Sequence, residues 1–199
     1  MKFSIAALAF IAALESAEAR ISFGSCPDYQ NVSDFDVEAY AGKWYDQANG
    51  GWMLYTAGAR CITKEFGLRD DGNLDLSFRG LYGLWGYRSG DGALYQCDEG
   101  SADGWTCMAT MGRSSKRSPF PIFATDYENY EIGYSCRSML GMKYENFSIA
   151  TREREMSDGV RTLVKEALKV KLPSWADNFD SYITWTGQDD DCEYSWNWN

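Results

Sequence analysis

The sequence predicts an all-β protein built from short antiparallel strands. In residues 74–79, the apolar side chains of Leu74, Leu76 and Phe78 alternate with polar ones, which is the two-residue period of a strand with one buried face. Further turn-forming segments follow at 89–92, 100–104 and 128–129. Short strands separated by turns at this spacing are typical of an antiparallel barrel or a sandwich.

A second strand precedes the first across a hairpin. Residues 62–68 alternate less regularly, because Lys64 shares a face with Ile62, Phe66 and Leu68. Between the two runs lies 70–73, Asp-Asp-Gly-Asn, where glycine can adopt the positive φ that a tight hairpin requires. The two runs therefore form one predicted hairpin.

One amphipathic helix is predicted near the C-terminus. Its apolar residues recur at helical spacing: Val160, Leu163, Val164, Ala167 and Leu168. Ser157 is the expected N-cap, Lys169 and Lys171 suit the negative C-terminal end, and Pro173 stops the helix. The polar face is mixed in charge, so we expect the helix to pack outside the sheet rather than bind a membrane or a partner.

The N-terminus has the form of a secretory signal. Lys2 precedes a mostly apolar run over 3–14, and Ala17-Glu18-Ala19 provides a small-x-small cleavage site. The run is shorter than the roughly 20 residues of a spanning helix. We expect residues 1–19 to be the signal, residues 20–199 to form a single secreted, extracellular domain, and no part to insert into a membrane.

The acidic charge limits the partners that the sequence favours. The formal net charge is −10, and it becomes −9 without residues 1–19. Nucleic-acid binding is disfavoured because phosphates are bound by clustered Lys and Arg. Docking on an anionic membrane surface is disfavoured for the same reason, and the charge is expected to keep a secreted protein in solution. Nothing in the sequence indicates an oligomeric state.

The six cysteines predict disulfides in an oxidising compartment. A zinc site is the competing interpretation, but the chain has neither a C-x-x-C pair nor a histidine. No metal is therefore expected. Spacing alone leaves about fifteen pairings open.

Three motifs together indicate a family. Gly42-Lys43-Trp44 enters a strand near the mature start, and Thr125-Asp126-Tyr127 lies at a late strand–strand corner. Arg152 follows Ile149-Ala150-Thr151 on a late strand. In this order the motifs resemble those of the lipocalins, and the surrounding residues are most similar to the apolipoprotein D and bilin-binding branch. The resemblance implies an eight-stranded antiparallel up-and-down β-barrel with one C-terminal α-helix packed outside.

The resemblance also narrows the disulfide pairing. It implies that Cys26, which precedes the barrel, bonds to Cys136 after the Thr-Asp-Tyr corner, and that Cys61 bonds to Cys192 and pins the tail to the barrel wall. Cys97 and Cys107 remain, and they flank the turn-rich 98–104. A bond across that hairpin suits them and lies outside the family pattern.

A lipocalin-like barrel implies a small hydrophobic ligand: a bilin, carotenoid, retinoid, sterol or fatty acid. No cofactor is required, although a bound pigment such as a bilin is compatible with the barrel. The alternative for each wall residue is ordinary core packing. The predicted ligand-binding residues are Phe66, Leu74, Leu76, Phe78, Tyr82, Trp85, Met108 and Ile122.

Trp44 and Arg152 belong to the other end of the barrel if the resemblance holds. In lipocalins the motif tryptophan packs under the floor and the late-strand arginine lies across it. A guanidinium over an indole face is attracted by about 1 kcal/mol or more when desolvated. We expect these two residues to close the barrel and not to touch ligand.

Catalysis has little support in the sequence. With no histidine, neither a Ser-His nor a Cys-His pair is available. Some lipocalins are enzymes, namely prostaglandin D synthase, which uses a free cysteine inside the barrel, and the xanthophyll de-epoxidases. A lipocalin-type enzyme therefore stays as one alternative to a carrier, and an interaction protein with a filled barrel stays as another.

Two Asn-x-Ser sequons are candidate glycosylation sites. Asn31 lies in a polar segment ahead of the barrel, whereas Asn146 falls within a predicted strand. A glycan is expected more readily on Asn31.

Overall fold

The computed structural model of this protein describes residues 20–51, 58–95, 97, 106–112 and 114–194. The predicted signal at 1–19 lies outside the described residues. The strands are β1 (Arg20–Phe23), β2 (Gly42–Gly51), β3 (Ala59–Leu68), β4 (Leu74–Tyr82), β5 (Tyr87–Tyr95), β6 (Cys107–Met111), β7 (Ser118–Phe120), β8 (Ala124–Thr125), β9 (Tyr130–Met139), β10 (Met142–Thr151) and β11 (Thr184–Trp185). The α-helices are α1 (Val37–Tyr40), α2 (Asp158–Lys171), α3 (Pro173–Asp177) and α4 (Phe179–Tyr182), and a 3-10 turn covers Gly83–Trp85.

One antiparallel sheet closes on itself to form the barrel. Its strand order is β7-β6-β5-β4-β3-β2-β10-β9-β8. The two end strands, β7 and β8, belong to the continuous segment 118–125, so this segment joins β6 on one side to β9 on the other. Counted as one strand, it completes eight wall positions, which confirms the predicted fold class. The two further strands extend the edges of this wall: β1 pairs with the part of β10 that precedes its pairing with β2, and β11 pairs with the part of β2 beyond its pairing with β3.

A side chain maintains the wall where the closing segment is interrupted at Pro121, which has no N–H to donate. The Thr106 hydroxyl donates to the Ile122 carbonyl at 3.0 Å and accepts from the Ile122 N–H at 3.1 Å. Phe123 then donates its N–H to the Ile132 carbonyl at 2.7 Å and returns the segment to β9. The barrel therefore closes without a continuous ladder.

Helix α2 forms where the sequence predicts it and packs outside the barrel. The Ser157 hydroxyl accepts from the Val160 N–H at 3.3 Å, which is the expected N-cap. Val164 and Leu168 are fully buried against the outer faces of β9 and β10, whereas Leu163 at the edge of the apolar face stays exposed. No helix in the described part of the chain is long and apolar enough to cross a bilayer.

Pro173 both ends α2 and begins α3. Proline fits the first turn of a helix, where its missing N–H would have no partner in any case. The short helix places Trp175 at zero exposure, with its ring stacked on Phe147 at a centroid distance of 4.5 Å. Its indole N–H donates to the buried Glu145 carboxylate at 3.0 Å. The helices therefore cover the outer face of β10 with both apolar and polar contacts.

Trp44 closes the floor of the barrel, as the resemblance implies. Its side chain is fully buried, and its indole N–H donates to the Tyr40 carbonyl at 3.0 Å. The Arg152 guanidinium lies over the indole, 3.8 Å from the ring centroid. This distance is that of a cation–π pair, in which the indole is fully buried and the guanidinium is half-buried.

Arg152 also holds the backbone around the floor. It donates to the carbonyls of Ala39 at 2.8 Å, Tyr127 at 2.9 Å and Lys43 at 3.2 Å. Gly42 has a φ of +100°, and a Cβ there would lie 3.1 Å from the guanidinium. The positive φ and the close approach of the guanidinium both favour glycine at the first position of the Gly-x-Trp motif.

The Thr-Asp-Tyr corner is fixed by Asp126. Its carboxylate accepts from the N–H groups of Asn129 at 2.7 Å and Tyr130 at 3.0 Å. Burial would raise the pKa of Asp126, but these backbone N–H bonds hold it below the usual value. The turn places Tyr127 at a φ of 64°, and the Tyr127 carbonyl then accepts from Arg152.

All three disulfides pair as predicted. They are Cys26–Cys136, Cys61–Cys192 and Cys97–Cys107. The second disulfide lies beside a hydrogen bond from the Cys61 N–H to the Gly187 carbonyl at 2.8 Å, so the C-terminal tail runs along β3 as well as being bonded to it.

The tail also completes the wall between β2 and β3. These strands pair directly only over Gly42–Tyr45 of β2. Beyond that point, the Gln188 carboxamide donates to the Asp46 carbonyl of β2 at 2.7 Å and to the Ile62 carbonyl of β3 at 3.0 Å. One side chain therefore bridges two strands that have separated.

Replacing the floor tryptophan is expected to cost much of the stability. Trp44→Ala removes a fully buried indole and should lower the free energy of unfolding by about 3–5 kcal/mol. The matched control is Trp85→Ala, because Trp85 is 74% exposed and its loss should change stability by no more than about 0.5 kcal/mol. Guanidinium unfolding under non-reducing conditions, followed by circular dichroism, measures both, and equal effects would contradict the structural role of Trp44.

Candidate functional site

The barrel encloses a cavity of about 920 Å³ above the floor. This volume falls in the range of small-molecule sites, roughly 300–1,000 Å³. The cavity has two unlike sides. The aromatic wall, formed by β4 and the turn after it, consists of Leu76, Phe78, Tyr82 and Trp85. The polar wall, formed mainly by β9 and β10 with contributions from β2 and β3, consists of Asp46, Lys64, Glu131, Ser135, Asn146 and Ser148.

Four of the eight predicted ligand-binding residues line this cavity, and they are the four of the aromatic wall. The other four lie elsewhere. Phe66, Leu74 and Ile122 are almost completely buried in the cluster around Tyr40 and Trp44, because the lower ends of their strands meet the packed floor.

Met108 does not line the cavity for a different reason. Successive side chains of a strand point to opposite faces, and Ala109 and Met111 are the residues of β6 that line the cavity. Met108 therefore lies on the outer face, one residue away from a position that lines the cavity.

Small residues in β5 and β9 shape the cavity around its larger side chains. A Cβ on Gly90 would lie 2.4 Å from Cζ of Phe78, so glycine at this position lets the Phe78 ring rest against β5. A Cβ on Gly133 would lie 2.5 Å from the Ser148 hydroxyl. Because both positions lack side chains, the central space stays open.

A buried charged cluster sits low in the polar wall. Lys64 forms an ion pair with Glu131, and the Tyr40 hydroxyl donates to the same carboxylate. Tyr40 is fully buried and Glu131 is 3% exposed. Burial raises the pKa of Tyr40 well above its ordinary value, and the Glu131 charge adds to the rise. Tyr40 therefore stays a hydrogen-bond donor at any physiological pH.

Asp46 is a second buried acid beside this cluster. It is 4% exposed, and its carboxylate accepts from the Asn49 amide at 2.7 Å and from the Thr186 hydroxyl of the tail at 3.3 Å. Burial raises the pKa of Asp46 to about 6, although Lys64 and the Asn49 bond oppose the rise. The cavity wall thus contains a group that changes charge just below neutral pH.

Sequence reasoning did not assign Asp46, Lys64 or Glu131 to the cavity, yet the sequence held signals for two of them. Lys64 lies on the apolar face of its strand, between Ile62 and Phe66. Asp46 is two residues beyond Trp44, and alternation puts both on the inner face. Glu131 had no comparable signal, because its strand begins only one residue before it.

The structure places the Asn146 sequon inside the barrel. Asn146 lines the cavity, and its amide donates to the Ser135 hydroxyl at 3.4 Å, while the neighbouring Phe147 faces the outer helices. A glycan at this position would have to occupy the cavity. Asn31, the other sequon, lies half-buried ahead of the barrel.

Several known proteins have sequences that align with more than half of this chain. Purpurin from Gallus gallus is 31% identical over 142 residues, which is 65% of this chain and 70% of purpurin. The Lazarillo protein of Schistocerca americana is 27% identical over 157 residues, 72% of this chain and 68% of that protein. Apolipoprotein D from Bos taurus is 29% identical over 122 residues, covering 59% and 60%. No protein-family model matches the chain.

Solved structures agree on the fold. Insecticyanin from the tobacco hornworm Manduca sexta superposes with a TM-score of 0.71 at 21% identity, covering 89% of this chain and 94% of insecticyanin. Lobster apocrustacyanin A1 gives a TM-score of 0.66 at 21% identity, covering 87% and 94%. Together with the floor geometry of Trp44 and Arg152, the relatives establish that this chain belongs to the lipocalin family, in the branch of apolipoprotein D and the bilin-binding proteins.

The pKa of Asp46 predicts a pH-dependent stability. Its pKa is raised from 3.8 to about 6 in the folded protein, so its contribution is present in full below pH 4 and is lost as the pH rises through 6. Asp46→Asn removes this loss. The stability of the variant relative to wild type should therefore increase by roughly 2–3 kcal/mol between pH 4 and pH 7.

Urea unfolding at half-unit pH intervals measures this difference. The matched control is Asp34→Asn, which makes the same substitution at an exposed position. A stability difference between Asp46→Asn and wild type that stays constant across this pH range would show that burial does not perturb the Asp46 carboxyl.

The position of Asn146 predicts that its sequon is empty in folded protein. Peptide mapping of protein secreted by a glycosylating host should find Asn146 unmodified, because a glycan on this inward-facing side chain would have to occupy the cavity. Asn31 serves as the internal comparison. Folded protein that carries a glycan on Asn146 would contradict the inward orientation of that side chain.

Proposed function

We propose that the mature protein is a secreted carrier that holds one small hydrophobic ligand inside its barrel and does not transform it. The observation that carries the proposal is the cavity of about 920 Å³ between the aromatic wall and the polar wall. Apolar burial contributes about 25 cal/mol per Å² of surface removed from water. Sparse polar groups then set the orientation of the ligand.

The charge cluster defines the polar end of the ligand. Lys64, Glu131 and Asp46 line the cavity, and the Tyr40 hydroxyl bonds to the Glu131 carboxylate from the packed floor. A ligand that reaches this depth must hydrogen-bond to these side chains or leave them paired to one another. A buried polar group that loses its hydrogen-bond partner destabilises the complex by about 1–3 kcal/mol. We therefore expect an elongated molecule with an apolar body and a polar end, a description that bilins, carotenoids, retinoids, sterols and fatty acids meet to different degrees.

The disulfides and the open cavity weigh against the two alternatives, a lipocalin-type enzyme and an interaction protein with a filled barrel. An enzyme of the cysteine-dependent lipocalin type needs a free thiol in the barrel, whereas all six cysteines of this chain are in disulfides. An interaction protein with a filled barrel would have side chains in the space that Gly90 and Gly133 keep open. Three disulfides and the predicted signal at 1–19 support secretion.

Ligand titration tests the carrier directly. We expect saturable quenching of tryptophan fluorescence by at least one member of a panel of retinoids, fatty acids, sterols and bilins. Ala109→Leu fills part of the cavity from β6 and should weaken that binding at least tenfold. Phe78→Asp puts an unpaired charge in the aromatic wall and should abolish binding or folding.

The matched control is Leu163→Asp, which introduces the same charge on the exposed edge of α2 and should leave ligand affinity unchanged. Circular dichroism verifies that each variant is folded. No saturable binding to any member of the panel, or equal weakening by Leu163→Asp, would defeat the carrier proposal.

A further inference from the structure

The end of the barrel opposite Trp44 is open and is surrounded by hairpin turns. Because the strands run up and down, the connections β4–β5, β6–β7 and β9–β10 all lie at this end. Trp85 and Met111 line the cavity and are also exposed, so they mark its mouth. The residues at the mouth are the ones that any approaching surface meets first.

Large apolar side chains project from these turns into solvent. We call them the rim: Phe23, Leu84, Trp85, Met111, Met139 and Leu140. Leu84 is fully exposed, and Phe23 and Leu140 are each 90% exposed. Phe23 joins the β9–β10 hairpin through the bond from the Gly24 N–H to the Gly141 carbonyl at 2.9 Å. Scattered apolar residues are ordinary on a protein surface, but a group at one end marks an interaction site.

The β9–β10 turn shows that one of these side chains is exposed at a conformational cost. Leu140 and Gly141 have φ values of 53° and 77°, as in the tight turn that usually takes Asn-Gly. A bulky apolar residue rarely adopts a positive φ. At Leu140 this conformation presents the side chain to water, and no packing against the residues that the structure describes accounts for it.

The turns are basic although the protein is acidic. Residues 81–89, 111–118 and 137–143 contain no Asp or Glu, in a chain of net charge −10. Among the described residues of these segments, the exposed cations are Arg88, Lys116, Arg117 and Arg137. Asp91 is the nearest acid along β5, and the acidic residues of the tail pair with cations on the outer wall: Arg60 with Asp189 and Asp191, Arg154 with Asp190, and Arg79 with Glu193.

From these observations we infer that the open end of the barrel docks on an anionic phospholipid bilayer, with the rim side chains in the headgroup region and the basic residues against the lipid phosphates. Tryptophan and exposed aliphatic residues on separate loops suit this amphipathic layer, and Lys and Arg add attraction to anionic lipid. The acidic net charge of the whole chain disfavours docking on an anionic membrane. Net charge does not describe how charged residues are distributed over the surface, and the basic residues are grouped at the open end. Docking is peripheral, and it does not depend on the cavity holding a ligand.

Vesicle co-sedimentation of the secreted full-length mature protein tests the inference. At 20 mM NaCl, we expect binding to vesicles of phosphatidylcholine with 30% phosphatidylserine, weaker binding to pure phosphatidylcholine, and a marked loss of binding at 500 mM NaCl. The double variant Leu84→Asp/Leu140→Asp should reduce partitioning at least tenfold, and Lys116→Glu/Arg137→Glu should reduce it at least fivefold on anionic vesicles only.

The matched control places the same change on the outer helix. Leu163 and Val170 are exposed on α2, so Leu163→Asp/Val170→Asp should change partitioning by less than twofold. Binding that is absent, indifferent to lipid charge, or equally reduced by the control variant would overturn the inference. So would a rim-dependent dimer in analytical ultracentrifugation without lipid, because the rim would then be an interface between copies. Ligand titration of the rim variant separates this result from failure of the carrier function.

Discussion

The barrel depends on the contact between the Arg152 guanidinium and the Trp44 indole. The indole fills the floor, and the guanidinium lies over it. The same guanidinium donates to the carbonyls of Ala39 in α1, Lys43 in β2 and Tyr127 in the Thr-Asp-Tyr corner. Burial lowers the pKa of Arg152, and the negative charges of Glu131 and Asp126 oppose this shift. Removing Arg152 would take the side-chain donor from the carbonyls of Ala39, Lys43 and Tyr127, and removing Trp44 would leave the guanidinium without the ring it covers.

Above that floor, strand alternation divides β9 and β10 between two tasks. Their outward residues, such as Ile132 and Phe147, pack against α2 and α3, and their inward residues, such as Ser135 and Ser148, stay small and polar. The outer layer supplies apolar burial that the inner faces of these strands do not. The cavity can therefore remain open without leaving the barrel short of a hydrophobic core.

The sequence anticipated features with local causes better than features that depend on depth in the barrel. The α2 cap at Ser157 and the barrel class follow from periodicity and motif, and the structure confirms them. Alternation shows which side of a strand is inward but not whether that level is cavity or floor, so Phe66 and Leu74 were placed too high. Glu131 was unrecognised because its partner Lys64 is 67 residues away, and no local pattern records that contact.

The wall between β2 and β3 is completed by residues from a late part of the chain, which constrains the order in which the barrel can form during synthesis. Gln188 bonds to residues 142 and 126 positions earlier in the chain, and Cys192 closes the same seam. A nascent chain emerges from the ribosome N-terminus first, so the part of β2 beyond Tyr45 lacks this bridge to β3 until residue 188 has emerged. During that interval the separated strand edges are open to pairing with other chains.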